Sequence, residues 1–366
     1  MLEGLASVAH VDIVLALEDA QDLPGAHALL PIGVGYDRLL VVTTPPRGQL
    51  RKAVLWALSD EPWLYSSLGH AVATREIEAW VGDRYDLAWY ARADAFHFVG
   101  PRVRSGRTIV DFADVESAKI RRRVNARVDR RLVRTLLYRD SKRWAMAERA
   151  VASSADNVAV CSEIEAALLG GAPAMIIPNG GREPPSGYHR MPDRRTMVFV
   201  GALDYLPNID ALHFMVDEVL PLVTRAVPDA RLVVIGRSPG AAVRALATTS
   251  GVDVVGEVDD VAEFLAIAAV AVVPVRYGGG TRVKLVEAAS HLVPVVSTSV
   301  GCEGLGLRPG SDLLVADDAG TFAAACVAML VDEDRARGVA RAARAWFERG
   351  FGWRQVSELV ASAVQT

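Results

Sequence analysis

Residues 271–301 read AVVPVRYGGGTRVKLVEAASHLVPVVSTSVG. The apolar run Ala271 to Val275 is predicted to be a buried β-strand, followed by the three glycines Gly278, Gly279 and Gly280. A helix opens near Thr281, and a second apolar strand covers Val293 to Ser297. A glycine loop between the end of a strand and the start of a helix exposes backbone N–H groups, and the helix dipole adds positive potential there. That geometry suits an anion, most often phosphate. Arg282 and Lys284 place cations within the first turn, and Glu287 lies two turns in, where a carboxylate can accept from paired hydroxyls. A diphosphate joined to a ribose diol is the ligand this pattern suggests.

Outward from this stretch, short β-rich runs alternate with amphipathic segments along the whole chain, the mark of α/β units with parallel sheets. In the first half, strands are expected near Val11–Leu17, Arg38–Val42, Leu87–Tyr90, Arg107–Val110, Val158–Cys161 and Ala174–Ile177. A second set follows near Met197–Val200, Leu232–Ile235, Val252–Val255, Ala271–Val275, Val293–Ser297 and Leu313–Val315. Between the sets, PNGGREPPSGYHRMPDRR (178–195) is rich in Pro, Gly and charge and is expected to be the linker. The expected organisation is therefore an N-terminal Rossmann-like domain over 1–180, a linker over 181–195, a second Rossmann-like domain over 196–350, and a terminal helix over 351–366. That last helix is expected to pack into a core or to cross back to the first domain.

At 366 residues the chain is long enough for two cores of about 180 residues each. Hydrophobic residues make up 51% and mean hydropathy is +0.22, ample for buried parallel sheets. No apolar run approaches the roughly 20 residues that span a bilayer, and the start lacks the basic region and cleavage site of a signal peptide. Three scattered cysteines, Cys161, Cys302 and Cys326, exclude a disulfide framework. The seven histidines show no ligand spacing, so no metal is expected. A cytoplasmic protein is the expectation.

Net charge is −4, unevenly spread. Residues 1–195 hold 26 basic and 24 acidic side chains, and residues 196–366 hold 14 and 20. The first half is thus the side more suited to an anionic partner. From Lys119 to Arg143 there are eleven basic residues against Asp129 and Asp140. Ile120, Val124, Leu132, Val133, Leu136 and Leu137 form an apolar stripe through this helical run. It suits either a solvated face of an ordinary core helix or contact with an anionic membrane surface or a lipid diphosphate. Nucleic acid is disfavoured by the negative total and the absence of interleaved aromatics.

In such folds ligands bind outside the carboxyl ends of the strands. The loops that matter run from Gly201 to Asn208, Gly236 to Gly240, Gly256 to Asp260, Arg276 to Thr281 and Thr298 to Leu305. FVGALDYLPNIDAL, RLVVIG, the stretch GEVDDVAEFL through VGCEGL, and IIPNGG together resemble the retaining family-4 glycosyltransferases of the GT-B fold. The similarity is strongest to the sugar-transferase branch of exopolysaccharide gene clusters that carries GGGTR-x-K-x-x-E. The resemblance implies two Rossmann-like domains facing a cleft, and a cytoplasmic enzyme, peripheral on the inner face of the membrane, that moves a hexose from a nucleotide-sugar to a glycan or lipid-linked saccharide. It implies no cofactor beyond that donor and no metal.

Position by position, the resemblance places Glu287 on the donor's ribose hydroxyls as the second carboxylate of E-x7-E. The first would fall at Gly279, so donor-sugar contacts pass to backbone N–H groups of Gly279, Gly280 and Thr281. Where many relatives clamp the diphosphate with Arg and Lys after the first strand of this domain, this chain has Asp204 and Asn208, leaving Arg282 and Lys284 as the cations. Gly201 and Asn208 line that loop, and the backbone around Val258 corresponds to the base-reading loop. In the first half, TIVDFADVESAKIRRR places Asp111 and Asp114 where many relatives carry an acceptor-site His. Either carboxylate is suited to orienting or deprotonating an acceptor hydroxyl, or to capping the next helix beside Ser117.

One departure accompanies these matches. The chain is expected to open on a helix at Leu2, with the N-domain lacking the first strand and its Gly-rich loop. A catalytically silent nucleotide-sugar-binding subunit and a sugar-nucleotide epimerase therefore stand as alternatives.

Overall fold

The computed structural model describes residues 1–17, 35–44, 48–67, 71–82, 84–170, 174–279 and 283–365. The chain divides into two units, Met1–Pro178 with Val356–Thr366, and Asn179–Gln355.

The first unit enters through α1 (Leu2–Ala6) and continues with β1 (Asp12–Leu17), β2 (Arg38–Thr43), α2 (Gln49–Leu58), α3 (Trp63–Ser67) and α4 (Ala71–Trp80). It then runs through β3 (Tyr85–Ala91), α5 (Ala93–Val99), β4 (Ser105–Phe112), α6 (Glu116–Ala126), α7 (Arg131–Ser154), β5 (Asn157–Val160), α8 (Glu163–Leu168) and β6 (Ala174–Ile176). β1 and β2 pair in parallel. A second parallel sheet has the order β3-β4-β5-β6. Its core is Val110, Phe112, Val158 and Val160 with Tyr90 and Val151. Central parallel strands are covered on both faces, which is why IVDF and NVAV read as nearly unbroken apolar runs.

The stretch 181–195, expected to be a linker, is laid onto the second unit. Gly181 bridges Gly352, the Met191 and Asp193 N–H groups donate to Ala266 and Ile267 carbonyls at 2.9 and 3.0 Å, and the Tyr188 hydroxyl donates to the His291 carbonyl at 3.1 Å. Pro and Gly here remove helix and strand propensity without removing the need to satisfy backbone polar groups.

The second unit holds β7 (Thr196–Val200), α9 (Leu206–His213), a π-helical turn Phe214–Val219, α10 (Leu220–Ala226), β8 (Arg231–Ile235), α11 (Ala241–Ala245), β9 (Val252–Gly256) and α12 (Ala262–Ile267). It continues through β10 (Val270–Val273), α13 (Val283–Ser290), β11 (Val295–Ser297), β12 (Leu314–Val315), α14 (Ala319–Val331), α15 (Glu333–Gly350) and α16 (Trp353–Gln365), which from Val356 on belongs with the first unit. Its six strands are ordered β12-β11-β10-β7-β8-β9, all parallel. The chain builds outward from β7 through β8 and β9, then returns to the other side of β7 with β10. That reversal opens a crevice at the carboxyl ends of β7 and β10, the switch point at which doubly wound sheets bind ligands.

This unit's core includes Phe199, Leu203, Leu212, Met215, Leu285 and Phe347, each fully buried. Every side chain of β10 is buried, and α13 turns Leu285, Val286, Ala288 and Ala289 inward. Burying a Leu or Val contributes about 1.5–3 kcal/mol, which fixes the rotation of α13 and hence where Lys284 and Glu287 stand. Asp318 and Asp332 cap α14 and α15, accepting from the Thr321 and Arg335 N–H groups at 3.0 Å.

Candidate active site at the carboxyl ends of β7 and β10

Three glycines close the ends of consecutive strands. The Gly201 N–H donates to the Ile235 carbonyl at 3.0 Å, and the Gly236 N–H donates to the Gly256 carbonyl at 2.7 Å. Gly236 has φ +155°, and a Cβ there would lie 1.7 Å from the Gly201 carbonyl oxygen. Only glycine fits, so the two loop backbones touch. Gly278, after β10, has φ +133°, and its α-carbon faces Pro207 and the Tyr205 hydroxyl.

Into this glycine floor α13 brings Lys284. Its Nζ donates to Asn208 Oδ1 at 2.6 Å and stands 4.2 Å from the centre of the Phe199 ring. Asn208 is buried, and its Nδ2 donates to the Ala202 carbonyl at 2.8 Å. A Cβ on Gly201 would fall 2.8 Å from Asn208 Nδ2 and 3.0 Å from Lys284 Nζ. Gly201, Asn208, Lys284 and Gly278 therefore form one cluster, and both polar atoms of the Asn208 amide serve to tie the loop after β7 to the lysine. The sequence suggested Asn208 as a direct donor contact; in the structure its amide also bonds Lys284 and the Ala202 carbonyl.

Glu287 sits three residues along α13 on the same face as Lys284. Among the described residues its carboxylate accepts no hydrogen bond. Burial pushes its pKa up, the Asp260 carboxylate adds to this, and the Arg182 guanidinium partly offsets it. Asp260 ends the loop that contains Val258 and caps α12 through the Ala262 N–H at 2.9 Å. Val258 itself packs half-buried on the core. Gly279 follows Gly278 in the loop, whereas Gly280, Thr281 and Arg282 lie outside the described residues.

A further cation at this end of the sheet is occupied elsewhere. Arg276, just past β10, pairs with Asp210 of α9 at 2.9 and 2.6 Å and stacks on Phe214. Glycine N–H groups, a positioned ammonium and a half-buried carboxylate on one helix face can hold an anion at one end and a diol at the other. The same ammonium can stabilise charge developing on a departing diphosphate.

Asp111 and Asp114 belong to the first unit. Asp111 ends β4, and burial pushes its pKa up to about 6. Asp114 pairs with Lys119 at 3.4 Å, and that lysine also bonds Glu116 at 2.5 Å. Neither aspartate caps α6. That role falls to Glu148 of α7, a residue the sequence did not single out. It accepts from the Ser117 N–H at 3.1 Å and from the Ser117 hydroxyl, and burial pushes its pKa up to about 7. Nearby, Arg92 closes β3 with φ 131°, a region that residues other than glycine rarely occupy, and its Nε donates to Asp94 at 2.9 Å. Among the described residues no three His, Cys, Asp or Glu side chains are grouped to hold a metal ion.

Solved structures with the same fold include sucrose-phosphate synthase from Thermosynechococcus elongatus, with a TM-score of 0.69, 20% identity and coverage of 99% of this chain and 90% of that one. Another is the Anabaena protein HepE in complex with UDP and glucose, with a TM-score of 0.61, 13% identity and coverage of 96% and 91%. These likenesses define the fold as GT-B. At the level of family, residues 194–332, all within the second unit, match the model for glycosyl transferases group 1. A 44.6 kDa protein of the cps region of Klebsiella pneumoniae is 28% identical over 142 residues, 35% of each chain. The match thus spans about a third of that relative.

Proposed function

We propose that this chain is a glycosyltransferase that moves a hexose from a nucleotide-sugar to the hydroxyl of a glycan or lipid-linked saccharide. The observation that carries the reading is the Gly201–Asn208–Lys284 cluster with Glu287 one turn further, at the switch point of a segment matching group 1 glycosyl transferases. Lys284, with Arg282 and the N–H groups of Gly278 to Thr281, takes the diphosphate; Glu287 takes the ribose hydroxyls; the backbone about Val258 faces the base. Because side-chain and backbone donors carry the leaving-group charge in this scheme, the reaction proceeds without a required metal. Retention of configuration, and a place in the family-4 branch of exopolysaccharide clusters, are what the resemblance carried by GGGTR-x-K-x-x-E implies. Asp111 and Asp114 handle the acceptor hydroxyl. The Anabaena neighbour's complex with UDP and glucose and the cps-region setting of the Klebsiella relative support donor class and process respectively.

Gly279 in place of a carboxylate favours a second reading, a subunit that binds the nucleotide-sugar without turning it over. Incubation with a panel of nucleotide-sugars and saccharide acceptors separates the two. Release of nucleoside diphosphate with formation of a product of retained anomeric configuration supports the transferase. Calorimetric binding without release supports the silent subunit, and 2-epimer formation would replace both with an epimerase.

A further inference from the structure

Tyr65, in α3, is 2% exposed, and among the described residues its buried hydroxyl has no hydrogen-bond partner. Buried polar groups of native structures are paired, so an orphaned phenol marks a place where something else completes the bond. Its ring is fixed from three sides. It stacks on His97 with ring centres 4.2 Å apart, and it meets Phe98 and Trp144 edge-on at 5.3 and 5.2 Å. The helix that carries it is tied down as well: Asp140 of α7 accepts from the Trp63 N–H at 2.7 Å and from Trp56 Nε1 at 2.9 Å. The hydroxyl is thereby held where it stands.

Its surroundings are polar. Burial pushes the phenol's pKa up, the carboxylates of Asp94, Glu148 and Glu61 add to this, and the Arg92 guanidinium opposes. Arg92 and Asp94 follow the carboxyl end of β3, and Glu148 holds the start of α6, beyond β4, through Ser117. Glu61 stands 3.9 Å from His97 Nε2. All of these residues belong to the first unit, and the ends of β3 and β4 are where α/β sheets receive ligands. Arg92 Nε donates to Asp94 at 2.9 Å, and its backbone sits at φ 131°, strain of a kind that collects at ligand clamps. Burial works against the Arg92 charge, while Asp94, Glu116 and Asp114 support it. The cluster thus adjoins Asp114, to which the acceptor hydroxyl was assigned.

The groups gathered here complement a sugar ring. A phenol donates or accepts, carboxylates accept and a guanidinium donates, which together serve several hydroxyls. The aromatic stack beside them ends in His97, whose side chain is 38% exposed and offers a face to the apolar side of a ring. Charge sets the class of sugar. Even with Glu148 protonated, Asp94 and Glu61 outnumber Arg92, so an uncharged or ammonium-bearing ring is admitted and an anionic one is repelled.

We propose that the Tyr65 hydroxyl, Arg92 and Asp94 form a subsite that holds a ring of the saccharide acceptor by its hydroxyls and selects against acidic sugars. That the ligand is a saccharide rests on the transferase reading; the subsite itself is tested by binding, without turnover.

The full chain is titrated with methyl glycosides of glucose, galactose and mannose, with their 2-amino forms and with the corresponding uronates, and binding is read by saturation-transfer NMR. At least one neutral or amino glycoside is expected to bind, and its uronate at least about tenfold more weakly. Y65F removes the hydroxyl and keeps the ring stack. It is expected to weaken that binding about tenfold, to raise acceptor KM by the same factor with donor KM unchanged, and to melt no earlier than the intact protein. D94N weakens binding to a similar degree, and Y138F, the same change at an exposed position of α7, leaves it unaltered. Binding of none of the glycosides, equal binding by Y65F, or preference for uronates overturns the proposal. An earlier-melting Y65F overturns it too, since the hydroxyl would then have its partner within the fold. Glycoside binding that Y65F weakens, in a protein that transfers no sugar from any nucleotide-sugar, refutes the transferase reading alone and supports the subsite.

Discussion

Lys284 Nζ rests 2.6 Å from Asn208 Oδ1, so a cation on α13 is fixed by a side chain on α9, 76 residues away in sequence. Asn208 is held in turn through its Nδ2 to the Ala202 carbonyl. An ammonium kept in place before the ligand arrives loses less conformational freedom on binding.

Asn208→Leu removes that anchor at nearly constant volume. It is expected to cost about 0.5–1.5 kcal/mol of stability through the lost hydrogen bond to the Ala202 carbonyl, which keeps only the longer bond from the Tyr205 N–H at 3.4 Å, and to weaken nucleoside diphosphate binding about tenfold as Lys284 is released. Calorimetry with nucleoside diphosphates, beside thermal melts, reads the two effects separately. Unchanged affinity in the folded variant would remove the positioning role.

Two glycines that touch the same cluster should respond differently. At Gly201 an added methyl meets the far ends of Lys284 and Asn208, which can move; at Gly236 it meets the Gly201 carbonyl at 1.7 Å, which cannot. Gly201→Ala therefore keeps its melting temperature within a few degrees and loses affinity. Gly236→Ala loses about 3 kcal/mol or more, the scale of a severe backbone conflict, and melts earlier whatever ligand is present. Equal melting temperatures for the two would contradict the geometry.

Glu287→Ala is expected to lower nucleotide-sugar affinity about ten- to a hundredfold, the range of a charge-assisted hydrogen bond. Burial raises the Glu287 pKa, Asp260 adds to it and Arg182 opposes. The ionised form is the better acceptor for hydroxyls, so affinity of the intact protein rises as pH climbs through and above the ordinary carboxylate range. The alanine variant loses that slope, and a titration series across pH in calorimetry checks it.

If Asp111 deprotonates the acceptor, kcat/KM rises with pH through about 6, where its buried carboxyl ionises. Asp111→Asn removes that limb and lowers the rate about a hundredfold or more, within the range of general-base catalysis. Asp114→Asn, whose partner is Lys119, shifts acceptor KM instead. A profile without an inflection near 6 in the intact enzyme would exclude Asp111 as the base.

Glu148 makes a stability prediction. Burial raises its pKa from an ordinary 4.5 to about 7, and the hydrogen bonds from Ser117 partly offset the shift. Below 4.5 the carboxyl is protonated in folded and unfolded chains alike, and this source of destabilisation is absent. Between 4.5 and 7 the folded form holds the proton and the unfolded form releases it, so stability falls as pH rises, by about 3 kcal/mol in all. Glu148→Gln, which still accepts from Ser117, removes that contribution to the slope. Urea unfolding of the first unit's transition at pH 5 and pH 8 measures it.

The strands of both units, their parallel pairing and the glycine loop were legible along the chain. Unbroken apolar runs of four or five residues, bounded by Gly and Pro, admit few structures once they alternate with amphipathic helices. The shared face of Lys284 and Glu287 was legible for the same local reason: they lie three apart on α13, and helical geometry alone places them together. What lay beyond local pattern was decided by packing. The expected linker is bound to the second unit by carbonyls of α12, a pairing that its Pro and Gly content conceals.

Sequence alone determined that this is a parallel α/β chain in two sets of strands with a glycine-rich segment between β10 and α13. Tertiary structure decided which side chains serve that loop. Asn208 reads in sequence as a ligand contact, and its bond to Lys284 is visible only in the structure. Glu148 reads as an ordinary helical acid and instead caps α6. The physical reason is common to all of these. Periodicity reports which faces a helix has, whereas the partner of each face comes from residues tens of positions away that the sheet order brings together.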